Sequence, residues 1–229
     1  MLESGNRAEI IFSRSGIPRN LYGARFDNYI PSTPEQKKAV EKCKDYALNC
    51  QERINEGKGL FLYGPVGAGK THLIVATLWE MLNSKPDMFG IGSRGNIFDK
   101  THSIPEDRNA IKCRYYNVPE FLENIRKSYN RKPSYNDDFY EDVAHESKYN
   151  GLVILDDIGA EKPTEWVQEQ LYRVIDYRYT REMPTFFTSN CTIKELEERI
   201  GARAASRIVG MTEGIKVIGP DYRKRKLGA

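Results

Sequence analysis

An α/β domain with a parallel five-stranded sheet held between helices is what this sequence predicts, on three observations. Short apolar runs at 59–63, 113–118, 152–156, 185–188 and 215–218 alternate with longer stretches of helical pattern. Such alternation implies parallel strands joined by helical crossovers. A glycine-rich turn stands where the first strand gives way to a helix, and the third strand ends in two adjacent acids.

In chain order the elements read as a helix over 34–55, the strand "GLFLY" at 59–63, and a helix over 70–83 that the glycine turn opens. The strand "CRYYNV" at 113–118 leads into a helix over 119–129, and "LVILD" at 152–156 precedes a helix over 165–181. The strand "TFFT" at 185–188 is followed by helices over 193–200 and 202–209 and by "IKVI" at 215–218. Residues 85–111, rich in Gly, Asp, Ser and Asn, read as an insertion. Residues 131–150 are polar, with tyrosines and acids, and read as a second loop or a loosely helical segment.

Composition narrows the function classes. The 229 residues fit one domain, and 29% charged with 39% hydrophobic residues fit a soluble globular chain. No apolar run approaches the roughly 18 residues that span a bilayer. The start, MLESGNRAEIIF, has an early acid and no long apolar centre, which argues against a signal peptide. Cys43, Cys50, Cys113 and Cys191 are scattered, with no CxxC spacing. That argues against a zinc site or a disulfide framework and suits a reducing cytoplasm. A net charge of +3 permits nucleic-acid binding without demanding it.

The strongest chemical signal is Gly64-Pro65-Val66-Gly67-Ala68-Gly69-Lys70-Thr71, which fits G-x-x-x-x-G-K-[ST] at every fixed position and lies between a strand and a helix. Glycines let backbone N–H groups turn toward phosphate oxygens, and the helix N-terminus adds positive potential. Lys70 would reach the β- and γ-phosphates of a nucleotide and Thr71 would hold Mg²⁺; the following His72 is counted with the nucleotide-binding stretch.

Asp156 and Asp157 repel each other, so their adjacency needs a reason. At the carboxyl end of a strand both can reach the crevice where α/β sheets bind ligands. Asp156 would bind Mg²⁺, and Asp157 would orient and polarise the water that attacks the γ-phosphate. The competing reading makes Asp157 a cap of the following turn. The next strand ends in Thr188, Ser189 and Asn190, and Asn190 is the choice for a polar contact to the γ-phosphate or the attacking water. Arg203 and Arg207, four apart in "GARAASRIVG", share a helix face. They are either an arginine finger offered to the nucleotide of a neighbouring subunit or a solvated face. Arg223 is placed to reach the γ-phosphate within its own chain, or belongs to a basic tail with Lys224, Arg225 and Lys226.

The runs "GIPRNLYGARFDNY", "GLFLYGPVGAGKTHL", "YYNVPEFLENIR", "LVILDDIGAEKPTEW", "YRVIDYRYTREMPTFFTSN", "RAASRI" and "DYR" together resemble the AAA+ ATPase domain of bacterial DnaC/DnaI-type helicase loaders, from about Gly16 to Arg223. The resemblance implies an AAA+ fold over 16–229 after an N-terminal extension at 1–15, with a reduced C-terminal lid and sensor 2 region over 191–229. It implies Walker A roles for Lys70 and Thr71 and Walker B roles for Asp156 and Asp157. It makes Asn190 sensor 1, Arg207 the finger with Arg203 as the alternative, and Arg223 sensor 2. It also implies ATP and Mg²⁺ as cofactors, assembly into a homo-oligomer, contact with single-stranded DNA, and delivery of a replicative helicase hexamer onto it in the cytoplasm. Loaders of this type carry an N-terminal domain that grips the helicase. With so little chain before the resembling region, that domain is expected to be missing, reduced or removed.

DNA contacts are sought at Arg126, Lys127, Arg131 and Lys132, interleaved with Tyr129 and Tyr135. The same groups also read as a solvated helix end. Tyr115 and Tyr116 read as strand core. Two further functions compete: an IstB-type transposition helper on duplex DNA, which shares the ATPase core, and a small-molecule P-loop kinase. The adjacent acids, the polar strand end and the late arginines count against the kinase.

Overall fold

The computed structural model describes residues 4–89, 111–128 and 151–225. Five strands form one all-parallel sheet: β1 (Gly59–Tyr63), β2 (Lys112–Asn117), β3 (Gly151–Asp156), β4 (Thr185–Ser189) and β5 (Thr212–Lys216). They lie in the order β2-β3-β4-β1-β5. Because β4 runs between β1 and β3, the loop after β4 opens between the phosphate loop and the acidic strand end. The strand order therefore dictates the site.

Helices cover both faces. Leu60, Leu62, Cys113, Tyr115, Leu152, Ile154 and Phe186 point into one core layer. It is closed by α1 (Ser4–Ser15), α2 (Pro34–Leu48), α3 (Cys50–Asn55) and α4 (Lys70–Ser84). Phe61, Val153, Leu155 and Phe187 point the other way. There they meet α5 (Val118–Ser128), α6 (Glu165–Thr180), α7 (Ile193–Ile200) and α8 (Ala202–Met211). The inside–outside period of 2 is thus apolar on both faces, as a parallel sheet under two helical layers requires. After β5, a one-turn helix α9 (Tyr222–Arg225) closes the described chain.

Two expectations are corrected, and one helix is present that the sequence reading does not name. The helix predicted over 34–55 breaks at Asn49, whose side chain donates to Asp45 O (3.0 Å) and Oδ1 (3.1 Å). Such local bonding competes with the helical ladder. The last strand spans Thr212–Lys216 rather than 215–218. It is a sheet edge on which only Ile215 is buried, and Glu213 is held by Lys42 (2.7 Å) and Arg53 (3.4 Å). The chain stays beside β1 past the strand, where the Val217 N–H donates to Tyr63 O at 2.8 Å. Finally, Ser4–Ser15 is a helix whose buried Ala8, Ile11 and Phe12 join the first core layer.

Of the expected insertion, a short 3-10 turn (Pro86–Met88) and a bridge from Phe89 to Ile111 are described; 90–110 and the 131–150 segment lie outside the described residues. Arg178 in α6 is fully buried and ties the starts of two strands, donating to Gly151 O (2.7 Å), Pro184 O (2.9 Å) and Thr185 Oγ1 (2.7 Å). Burial pulls its guanidinium down to about 9.

Candidate active site

The glycine turn is held from outside by its carbonyls. Tyr29 OH (2.8 Å) and Gln36 Nε2 (3.2 Å) both donate to Ala68 O, and the Tyr222 N–H donates to Gly67 O at 3.0 Å. Gly69 has φ +93, and a Cβ there would sit 2.5 Å from Tyr29 Cε2. Only glycine combines that dihedral with that contact. The turn opens α4 at Lys70, so helix dipole and ammonium face the same space.

Lys70, 6% exposed, donates to Gly64 O (2.8 Å), Pro65 O (2.8 Å) and Asn190 Oδ1 (2.7 Å). Burial lowers its pKa to about 8, opposed by Asp157 and Asp156. Asn190 spans two charges, because its Nδ2 donates to Asp157 Oδ1 at 2.5 Å. Asp157 adopts φ +62 just past the strand, a backbone state that Asp and Asn tolerate better than most residues. That turn, with the Asp157 N–H donating to Thr188 Oγ1 (2.9 Å), is how two adjacent acids avoid stacking along the strand. Burial, then Asp156, push the Asp157 carboxyl above the usual carboxylate range, while Lys70 and Arg223 pull against the rise. A more basic carboxylate is a better acceptor for a proton from water.

Asp156 is the most hydrogen-bonded acid of the site. Its Oδ1 accepts from Thr71 Oγ1 (2.8 Å) and Thr188 Oγ1 (2.6 Å), and its Oδ2 from Tyr115 OH (2.7 Å). A hydroxyl and a carboxylate as adjacent hard oxygen donors fit Mg²⁺. The described residues contain no group of three or more His, Cys, Asp or Glu that could hold a metal ion. A Mg²⁺ held by these two oxygens would complete its shell with further oxygen donors, water among them.

Val66–Thr71, Asp156, Asp157, Thr188 and Asn190 line one cleft of about 660 Å³, with Arg223 on its wall. Part of the wall comes from the segment at 20–30, including Leu21, Gly23, Ala24, Asn28 and Tyr29. This loop is stapled internally, with Arg25 NH1 donating to Tyr22 O (2.8 Å) and Asn28 Nδ2 to Gly23 O (2.7 Å). His72 is turned to the same loop: its Nε2 lies 2.9 Å from Arg25 O, and its ring packs on Tyr29 with centroids 5.5 Å apart. Since a carbonyl only accepts, Nε2 carries the proton. Burial lowers the imidazole pKa.

The structure thus brings together Gly64–Thr71, His72, Asp156, Asp157, Asn190 and Arg223. Arg203 and Arg207 do not line the cleft. Arg207 pairs with Asp176 of α6 at 2.6 Å, with its guanidinium 4.8 Å from the ring centre of Tyr172, and Arg203 is exposed. At the end of α5, Arg126 lies 4.8 Å over the ring centre of Trp166, and Lys127 pairs with Glu123 (2.6 Å). Tyr129, Arg131, Lys132 and Tyr135 lie outside the described residues. Sequence reasoning missed Tyr115, Thr188, Tyr29 and Gln36. Only Thr188, in the polar strand end before Asn190, carried a local signal.

Over 97% of its length the chain is 27% identical to the replicative helicase loader DnaI of Bacillus subtilis (strain 168), and it spans 65% of that protein. Its fold matches the crystal structure of the DnaC helicase loader with a TM-score of 0.66, at 23% identity over 88% of this chain and 100% of that one. It also matches the replication initiator DnaA bound to AMPPCP and single-stranded DNA, with a TM-score of 0.59 and 18% identity over 90% of this chain and 54% of that one. No protein-family model matches. The resemblance to DnaC/DnaI-type loaders, read from the motifs, is thus found again in the relatives, and the parallel sheet between helices is the fold of the solved DnaC and DnaA structures.

Proposed function

Starting from a chain similar to DnaI and folded like DnaC, we propose that this protein is an ATP-dependent loader of a replicative helicase hexamer onto single-stranded DNA, acting in the cytoplasm as a nucleotide-dependent oligomer. The observation that carries the reading is the chain of contacts Lys70–Asn190–Asp157 beside Thr71–Asp156, all in one cleft. Lys70 would neutralise the β- and γ-phosphates, exchanging its two loop carbonyls for phosphate oxygens. Thr71 and Asp156 would hold Mg²⁺, which would supply charge neutralisation at the phosphates. Asp157 would polarise the attacking water, Asn190 would fix that water and the lysine relative to each other, and Arg223 would meet γ-phosphate charge from the same chain.

The decisive experiment is the mass of the complex formed with a non-hydrolysable ATP analogue, with and without single-stranded DNA and a candidate helicase. A higher-order assembly that captures the helicase only with nucleotide supports loading. Nucleotide-driven assembly on duplex DNA with a transposase, and no helicase contact, would replace loading by the transposition-helper reading.

The finger is assigned to Arg207, with Arg203 as the alternative. To act on a neighbour's nucleotide Arg207 has to leave Asp176, an exchange of one ionic partner for another. Arg207→Ala and Asp157→Asn proteins, each nearly inactive alone, are expected to recover a measurable fraction of ATPase turnover when mixed. The first supplies an intact water-polarising acid and the second an intact finger, so one mixed interface is competent. Absence of recovery at every mixing ratio, with recovery for Arg203→Ala instead, would move the finger to Arg203.

A further inference from the structure

Tyr115 reads from the sequence as strand core, and none of the chemistry above uses it. Its ring is indeed buried, 9% exposed, in the first core layer. Its hydroxyl nevertheless ends 2.7 Å from Asp156 Oδ2, to which it donates. The sheet register explains how. β2 and β3 are parallel, with Tyr115 opposite Ile154 and Asn117 opposite Asp156. Alternate residues share a face, so Tyr115 lies on the face of Asp156, two positions nearer the strand start, or about 6.6 Å along it. A tyrosine lying along the strand spans that offset with its hydroxyl; a phenylalanine stops short of it.

The other carboxylate oxygen is already taken. Thr71 and Thr188 both donate to Oδ1. With Oδ1 alone engaged, the carboxylate could still swing about the Cβ–Cγ bond, and Tyr115 stops that swing from the neighbouring strand. Groups that orient a metal-binding carboxylate from behind set its readiness for the cation, and their loss typically weakens metal affinity about tenfold or more. We propose that Tyr115 is a positioning residue for magnesium binding: it pins Oδ2 of Asp156 so that the acid meets the cation in the orientation fixed with Thr71. This rests on the nucleotide–magnesium reading of the cleft.

The test is Tyr115→Phe, which keeps the ring and removes one oxygen. Binding of a fluorescent ATP analogue is titrated with Mg²⁺ and repeated in EDTA. The Mg²⁺ concentration at half-saturation is expected to rise about tenfold, with affinity in EDTA unchanged. In an Asp156→Asn background the same change should add nothing, since Tyr115 acts through that carboxylate. An unaltered Mg²⁺ requirement, an equal loss of affinity in EDTA, or a further rise in the Asp156→Asn background would each overturn the role given to Tyr115. A wild-type protein whose nucleotide binding ignores Mg²⁺ altogether would overturn the underlying reading of the cleft as well, and so is distinguishable from failure of the Tyr115 proposal alone.

Discussion

Asp157→Asn is expected to lower ATP turnover by about 10² to 10⁴-fold while leaving nucleotide affinity within about twofold of the wild type. The geometry makes this substitution clean. Asp157 sits at φ +62, a conformation that asparagine accepts as readily as aspartate. The amide oxygen can still accept from Asn190 Nδ2, so the contact chain from Lys70 survives. The variant also loses like-charge repulsion with Asp156, so folding should not suffer. What disappears is the basic oxygen that draws a proton from water. Single-turnover phosphate release and equilibrium binding of a fluorescent analogue separate the two quantities. Equal loss of both would mean that the acid serves the ground-state complex, and its assignment to the water would go.

What the sequence makes legible is what is encoded locally. The turn from β1 through Gly64–Thr71 into α4 is written in consecutive residues, and so is the strand that delivers Asp156. The helix Ile193–Ile200 matches its expected span because Thr192 and Glu195 form a capping box at its start. Readings fail where the determinant is distant in sequence. The edge strand β5 is tolerated with a polar face because Lys42 and Arg53 reach it from other elements. The hydroxyl of Tyr115 reaches Asp156 only once β2 and β3 are in register, and the pairing of Arg207 with Asp176 exists only once α6 and α8 pack. The helix at Ser4–Ser15 was legible in principle: Ala8, Ile11, Phe12 and Ser15 follow the i, i+3, i+4, i+7 spacing of a buried stripe, and all four are buried. The loop at 20–30 is different. Its shape comes from staples such as Asn28 to Gly23 and Arg25 to Tyr22 that no periodicity announces.

Lys70→Met should reduce ATP affinity by about 100-fold or more, since charge-assisted contacts to two phosphates are each worth roughly 1.5–3 kcal/mol. The thermal midpoint of the nucleotide-free protein should not fall with it. Lys70 is 6% exposed, and three of its contacts are to uncharged oxygens. Burial outweighs the pull of the two acids, and the pKa drops to about 8. At pH 7 the folded protein therefore holds a charge it would shed more easily than the unfolded chain would. Each pKa unit corresponds to about 1.4 kcal/mol. Screening in the open cleft reduces the penalty to something on the order of 2 kcal/mol. Methionine keeps the stem's packing and removes the charge. The sign of the pH effect follows: the penalty is fully present below about pH 8 and is relieved as pH rises toward the unfolded value of 10.5. The gap in melting temperature between the Lys70→Met variant and the wild-type protein should thus close across that window when both are scanned without metal or nucleotide. A variant that instead melts well below the wild type at pH 7 would show that Lys70 holds the empty loop together. The stability sacrificed to keep a buried ammonium ready for phosphate would then have to be sought elsewhere in the cleft.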